Sequence, residues 1–203
     1  MDSPQLSERQ QQIVDAALKI VASKGCRRLT AETLAAEVGI TGGALYRHFT
    51  GLDQLVDIMV DRIGAVLLQG FPPQASDPLE RLRLFFVQRA AAVRANPPLA
   101  RLLFFDHLAS ACGVLSSKRM EETKQRLRGF VGDCLQEASD SGTLAPGLTV
   151  EACSLIVLGS ILELSHSGTD GDRLAEEMWA GLERMLRRTK TSGAPARQIR
   201  RKS

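Results

Sequence analysis

An all-helical protein is predicted, with an N-terminal three-helix helix-turn-helix domain followed by a larger C-terminal helical bundle, about nine helices in all. Three observations lead there. No segment of the 203 residues alternates with period two for long enough to make a strand. Apolar residues recur at three- and four-residue steps along most of the chain, and Pro or Gly closes nearly every such stretch.

Taken in order, the first helix runs from about Ser7 to Ser23, with Ile13, Ala16, Ala17, Ile20 and Val21 at helical spacing and Gly25 just past its end. Thr30 opens a second helix that carries Leu34, Ala35 and Val38 on one face. The small Ala35 lets another helix approach closely. Gly39 ends this helix, because glycine takes the left-handed conformation that turns a chain within a few residues. Ile40 plugs the turn. Thr41 is suited to cap the next helix, where Leu45 and Phe49 form the buried side, and Thr41, Gly42, Tyr46, Arg47 and His48 form the other. Two short helices joined by so tight a turn form the geometry that places a helix in the DNA major groove. The outer face has hydroxyls, a guanidinium and an imidazole, and no acid to repel phosphate.

A fourth amphipathic helix follows through Leu52, Leu55, Val56, Met59, Val60, Ile63, Val66 and Leu67, stopping before Phe71-Pro72-Pro73. Asp77-Pro78 starts a fifth, with Leu79, Leu82, Phe86, Ala90 and Val93 inward, and Asn96-Pro97-Pro98 ends it. A short sixth helix is expected from Leu99 to about Ala109. A long polar one is expected from about Ser116 to Ser139, with Met120, Leu127, Phe130, Val131, Cys134 and Leu135 inward. The segment from Val150 to about Ser165 is apolar nearly all round and has to be covered on several sides. On the last helix Leu174, Met178, Leu182 and Met185 make a stripe beside Trp179 and Leu186.

Composition narrows the class of protein. The chain has neither a signal peptide nor an apolar, charge-free run of about 20 residues, so a cytoplasmic protein with no membrane partner is expected. Its formal net charge is +3, unevenly spread. No acid follows Glu183, and Arg187, Arg188, Lys190, Arg197, Arg200, Arg201 and Lys202 lie beyond Leu186; set apart, these seven leave 19 basic against 23 acidic residues. Residues 190–203 read as a basic disordered tail, with a non-specific clamp on DNA as its functional alternative. Cys26, Cys112, Cys134 and Cys153 have no metal-ligand spacing and read as inert buried thiols. No phosphate-binding glycine loop, nucleophile elbow or zinc-binding His pair occurs, so neither an enzyme nor a cofactor is expected.

The motif that opens at Thr30 and includes the Ala-x-x-x-Gly stretch Ala35 to Gly39, the cap Thr41 and Leu45-Tyr46-Arg47-His48-Phe49 resembles the tetracycline-repressor (TetR/AcrR) family of bacterial transcription regulators. The close resemblance runs from about Leu6 to Leu67. It implies a helix-turn-helix DNA-binding domain at 7–50 and a ligand-binding and dimerisation domain at 51–189. It further implies phosphate contacts from Thr30, Thr41, Tyr46 and His48, and base contacts from Thr41, Gly42, Gly43, Ala44 and Arg47. Two departures stand out. Leu52 occupies a position where relatives often carry lysine, and Gly42 replaces a longer polar residue, so one phosphate contact and one reader of base edges are missing.

The resemblance also implies that the fourth helix acts as a lever between the DNA-reading unit and an effector pocket. Candidate lining residues are Met59, Ile63, Phe86, Arg89, Phe104, Phe105, His107, Met120, Phe130, Glu163 and His166, a mostly apolar set that favours a small hydrophobic effector with one polar handle. A single headpiece reads only half of a palindrome, so the last two helices are expected to form a homodimer interface. The leading expectation is a dimeric repressor released from a palindromic double-stranded DNA operator by that effector. The alternative is an architectural DNA-binding protein with a protein partner. Arg81-Leu82-Arg83-Leu84 and Asn96-Pro97-Pro98-Leu99-Ala100-Arg101-Leu102-Leu103 are similar to the nucleoid-occlusion branch of the family.

Overall fold

The computed structural model describes residues 6–96, 114–164 and 171–188. Eight α-helices lie among them: α1 (Glu8–Lys24), α2 (Ala31–Val38), α3 (Gly42–Leu45), α4 (Leu52–Leu68), α5 (Pro78–Ala95), α6 (Val114–Asp140), α7 (Val150–Leu164) and α8 (Gly171–Leu186), with a single 3-10 turn at Cys26–Arg28. The expected helix at 99–109 and the tail at 190–203 lie outside the described residues. Among the described residues the only extended pairing is an isolated bridge between Leu144 and Arg187.

Local chemistry fixes the helix ends. Ser7 and Gln10 form a capping box on α1, each side chain accepting from the other's backbone amide. Asp77 caps α5 by accepting from the Leu79 amide at 2.9 Å, with Pro78 in the first turn, where a missing N–H costs nothing.

α5 is the centre of the larger unit and packs against α4, α6, α7 and α8. Its buried face comprises Leu79, Leu82, Phe85, Phe86, Arg89, Ala90 and Val93. Phe86 meets Trp179 of α8 at 5.5 Å between ring centroids, and Phe85 joins Phe71 and Phe130 in an aromatic cluster at 5.1 to 6.3 Å.

α4 bridges the two units, with Leu55, Val56, Met59, Val60, Ile63 and Leu67 buried along its length. The carboxylate of Asp15 in α1 pairs with Arg62 of α4 on one side of it. On the other, Arg119 of α6 reaches Asp57 at 2.6 Å and Asp61 at 2.9 Å.

The last two helices need one refinement. α8 buries Gly171, Ala175, Trp179 and Leu186, while the stripe Leu174, Met178 and Leu182 is only half-buried and Met185 is exposed. α7 likewise buries Cys153, Val157, Ile161 and Leu164 and leaves Leu155 and Ile156 in the open, at 68% and 42% exposure. Both helices therefore present apolar faces left open among the described residues. Cys134 and Cys153 are buried free thiols, and burial pushes Cys134 up to about 11 and Cys153 upward, so both stay protonated. Arg187 is not a free member of the basic tail: it pairs with Asp77 and Glu183, both at 2.8 Å.

Candidate nucleic-acid interface and ligand cavity

The N-terminal unit holds its motif from behind with α1. Ile13, Val14, Ala17, Ile20 and Val21 are buried behind it. From the same helix Gln10 donates to the His48 carbonyl at 3.0 Å, and Arg9 to the Val38 carbonyl at 3.3 Å. Lys19 pairs with Glu37 at 2.7 Å, and that hydrogen bond keeps the Glu37 carboxyl below its ordinary range. The ends of both motif helices are tied to α1 in this way.

The turn closes as its residues dictate. Thr30 accepts from the Thr33 amide at 3.2 Å and caps α2, and Gly39 sits in the left-handed region at φ 71°. Ile40 then donates to the Ala35 carbonyl at 2.9 Å. Thr41 accepts from the Ala44 amide at 3.2 Å and starts α3.

α3 is shorter than the spacing predicts: four residues, Gly42–Leu45, where helix was expected on to Phe49. Arg47 and His48 instead bond to carbonyls three residues back, at 3.3 and 3.0 Å. Gly42 and Gly43 explain this, since each is roughly 1 kcal/mol less favourable in a helix than alanine. Leu45 and Phe49 remain buried as expected.

The candidate contacts lie on one stretch. Thr41, Gly43, Tyr46 and Arg47 are exposed, and Thr30, Gly42, Ala44 and His48 are half-buried. Tyr46, the single tyrosine of the chain, is 56% exposed, so its ring takes little part in packing. A Cβ added at Gly42 or Gly43 would meet nothing within 4 Å, so the backbone there is open to close approach.

At the far end of α4 a cavity of about 290 Å³ opens between α5, α6 and α7. Its walls are Leu67, Phe85, Val93, Leu127, Leu155, Leu158, Gly159 and Ile161, and its polar lining is Arg89, Lys124 and Arg128. Of the lining residues named from sequence, Arg89 is here. Met59, Ile63, Phe86 and Met120 are packed into the core, Phe130 is half-buried in the aromatic cluster, and Glu163 is exposed. Phe104, Phe105, His107 and His166 lie outside the described residues.

Sequence reasoning did not find Phe85 or Leu127 as lining, because an apolar residue at helical spacing reads the same whether it faces a neighbour or a void. Arg89 gave a signal: a cation inside an otherwise apolar stripe. It is 4% exposed and donates from Nη2 to the Gln69 carbonyl at 2.5 Å, while its Nε and Nη1 have no partner. Burial lowers its pKa. Among the described residues no group of His, Cys, Asp and Glu is arranged to hold a metal ion, and no helix is long and apolar enough to cross a membrane.

Residues 13–58, which include the whole turn and both motif helices, match the family model for bacterial regulatory proteins of the tetR family. Over those residues the chain is similar to that family. Its fold agrees over nearly its full length with the ketosteroid transcriptional regulator KstR2 of Mycobacterium tuberculosis, with a TM-score of 0.77 at 20% identity, covering 92% of this chain and 99% of that one. AibR, solved in complex with isovaleryl coenzyme A and operator DNA, superposes with a TM-score of 0.73 at 18% identity over 86% of this chain and 97% of its own.

In sequence the chain is 25% identical over 158 residues to the nucleoid occlusion factor SlmA of Marinomonas sp. strain MWYL1, covering 76% of this chain and 80% of that one. Against other nucleoid occlusion factors it spans between about a third and about a half of their length, 52% in one case and 34% in another. The described fold is all-helical, with a helix-turn-helix of the tetR-family type at its N-terminal end.

Proposed function

We propose that this regulator is a dimeric repressor, released from a palindromic operator when a small, largely apolar effector enters the cavity at the end of α4. The observation that carries the reading is the position of that cavity: Leu67, in the last turn of the helix that also packs on α1, forms part of its wall. A ligand there meets the lever directly, and linkage then requires effector and operator to oppose each other reciprocally.

Thr30, Thr41, Tyr46 and His48 are the proposed phosphate contacts, and Thr41, Gly42, Gly43, Ala44 and Arg47 face the bases. With two glycines in place of side chains, specificity leans on Arg47, Thr41 and DNA shape. The homodimer forms through the open apolar faces of α7 and α8, the feature that supports it being the exposure of Leu155, Ile156 and Met185. In this reading residues 7–50 read DNA, 51–189 bind effector and dimerise, and 190–203 form a basic tail. The protein acts in the cytoplasm on the nucleoid and has no enzymatic role.

Similarity to SlmA over 158 residues favours a second reading, an architectural protein bound at many chromosomal sites with a protein partner. Selection of bound fragments from genomic DNA separates the two. One or two sites, weakened by an effector, are expected for the repressor; many dispersed sites insensitive to small molecules would overturn it in favour of the architectural role. Size measurement at micromolar concentration tests the dimer, and a strictly monomeric particle rules it out.

A further inference from the structure

Within the cavity one group lacks what a buried charge requires. Arg89 is almost entirely enclosed, yet only Nη2 has an acceptor, the Gln69 carbonyl, and Nε and Nη1 have none. A guanidinium stays protonated, so it cannot relieve its burial by losing the charge. The other polar residues of the lining, Lys124 and Arg128, are also cations. Arg128 is bridged to Glu121 at 3.1 Å, and no acidic residue lines the cavity. The surrounding walls are aliphatic and aromatic. Such a site is built for a molecule with an apolar body and a single anionic end.

We propose that the cavity binds an apolar monocarboxylate whose hydrocarbon part lies along Phe85, Leu127, Leu158 and Ile161 and whose carboxylate turns the enclosed Arg89 guanidinium toward itself, accepting hydrogen bonds from Nε and Nη1, which have neither a partner nor exposure of their own. Charge-assisted bonds to a carboxylate are among the strongest that arginine makes, and the low dielectric of the cavity strengthens them further. The volume, about 290 Å³, is at the small end of ligand pockets and suits a medium-chain or single-ring acid rather than a nucleotide conjugate held whole inside.

Arg89 also gives the ligand a mechanical handle. Its bonded nitrogen holds the carbonyl of Gln69, the residue that ends α4. A carboxylate drawing on the same guanidinium competes for its orientation, so it acts on the last turn of the lever without touching the N-terminal unit. This consequence rests on the effector-release reading above; binding itself does not.

The test uses the full chain without DNA. Calorimetric titrations with octanoate, 1-octanol and octylammonium are compared for the natural protein and for Arg89→Met, alongside thermal melts. Octanoate should bind at least about tenfold more tightly than 1-octanol, a difference that Arg89→Met should abolish, and octylammonium should not bind. Arg89→Met should melt no lower than the natural protein, since it removes an uncompensated buried charge. Leu158→Trp, which fills the cavity, should block octanoate. Equal affinity for the acid and the alcohol, retention of octanoate by Arg89→Met or by Leu158→Trp, or a lower melting temperature for Arg89→Met would each overturn the proposal. If octanoate binds as described but leaves operator affinity unchanged, effector release fails and the site stands. If a neutral compound releases the operator while octanoate binds nowhere, the reverse holds.

Discussion

Around α3 the buried side chains, Leu45 and Phe49, are apolar, and the polar and aromatic groups Thr41, Tyr46 and Arg47 stand in solvent, Thr41 with its capping bond made. Around the last turn of α4 the arrangement is inverted. There the solvent-facing positions of α7 include Leu155 and Ile156, and the enclosed position on α5 is a guanidinium, the one buried charged residue among those described. A surface of satisfied, exposed polar groups meets a polyanion without reorganising. An enclosed, unsatisfied cation is held for a single small partner. The two regions share α4, and the contrast supports the proposal that one end reads nucleic acid and the other accepts a signal.

The largest effect that could break this contrast is a core lesion. Phe86 is fully enclosed against Trp179, and Phe86→Ala should cost about 3 to 5 kcal/mol of stability in a denaturant titration. Base preference in the surviving folded protein should be unchanged, because no part of the N-terminal unit rests on Phe86. An altered preference would mean that the two regions are not separable.

Next in size is the exposed side. Arg47→Ala should leave the melting temperature within about a degree of the natural value and remove about 1 to 3 kcal/mol of base discrimination at the contacted pair, read as relaxed specificity across operator variants. Unchanged affinity and preference would exclude Arg47 as a reader.

A finer test lies in two glycines three residues apart. Gly39 has φ 71° and Gly42 does not have a positive φ, and neither has a neighbour within 4 Å of an added Cβ. Alanine at 39 forces a side chain into the left-handed region and should destabilise by about 1 to 2 kcal/mol. Alanine at 42 should stabilise by up to about 1 kcal/mol, by raising the helix propensity of α3. Opposite signs from the same substitution would establish that the turn needs its glycine, whereas α3 tolerates one for the sake of DNA approach. The companion measurement is operator affinity, which Gly42→Ala should lower despite the gain in stability.

The N-terminal unit was legible in the sequence because everything that shapes it is local. Thr30 and Thr41 cap amides three residues on, Gly39 turns the chain, and Leu34, Ala35 and Leu45 face inward at helical spacing. The length of α3 was the exception, since Leu45 and Phe49 are four apart in a short helix continued by a turn just as they are in one unbroken helix. The cavity was hardly legible at all. Its walls come from four helices between Leu67 and Ile161, and a cavity is a mismatch of shapes that no single periodic stripe records. Arg89 was the one lining residue that could be picked out, because charge within an apolar stripe is information that hydrophobic spacing cannot supply.

The smallest effect concerns one depressed carboxylate in each region, Glu37 beside Lys19 and Asp77 beside Arg187. For Asp77, burial works to raise the pKa, and the hydrogen bond from Arg187 and the amide of Leu79 outweigh it, so the folded value lies below the ordinary 3.8. Stability from a depressed carboxylate is fully present above its unfolded value and is lost as pH falls through the folded one. Asparagine caps a helix as well as aspartate does, so Asp77→Asn removes the charge pairing and keeps the cap. Because both partners are more than a third exposed, at 38% and 39%, the difference at neutral pH should be under about 1 kcal/mol. Measured by denaturant titration, it should shrink as pH falls below the ordinary aspartate value and vanish below the folded one. Glu37→Gln, on the more exposed pairing of the N-terminal unit, should show no resolvable slope over the same range. A slope at Glu37 equal to that at Asp77 would put the two surfaces on the same electrostatic footing, and the contrast between them would then reduce to the cavity and its arginine.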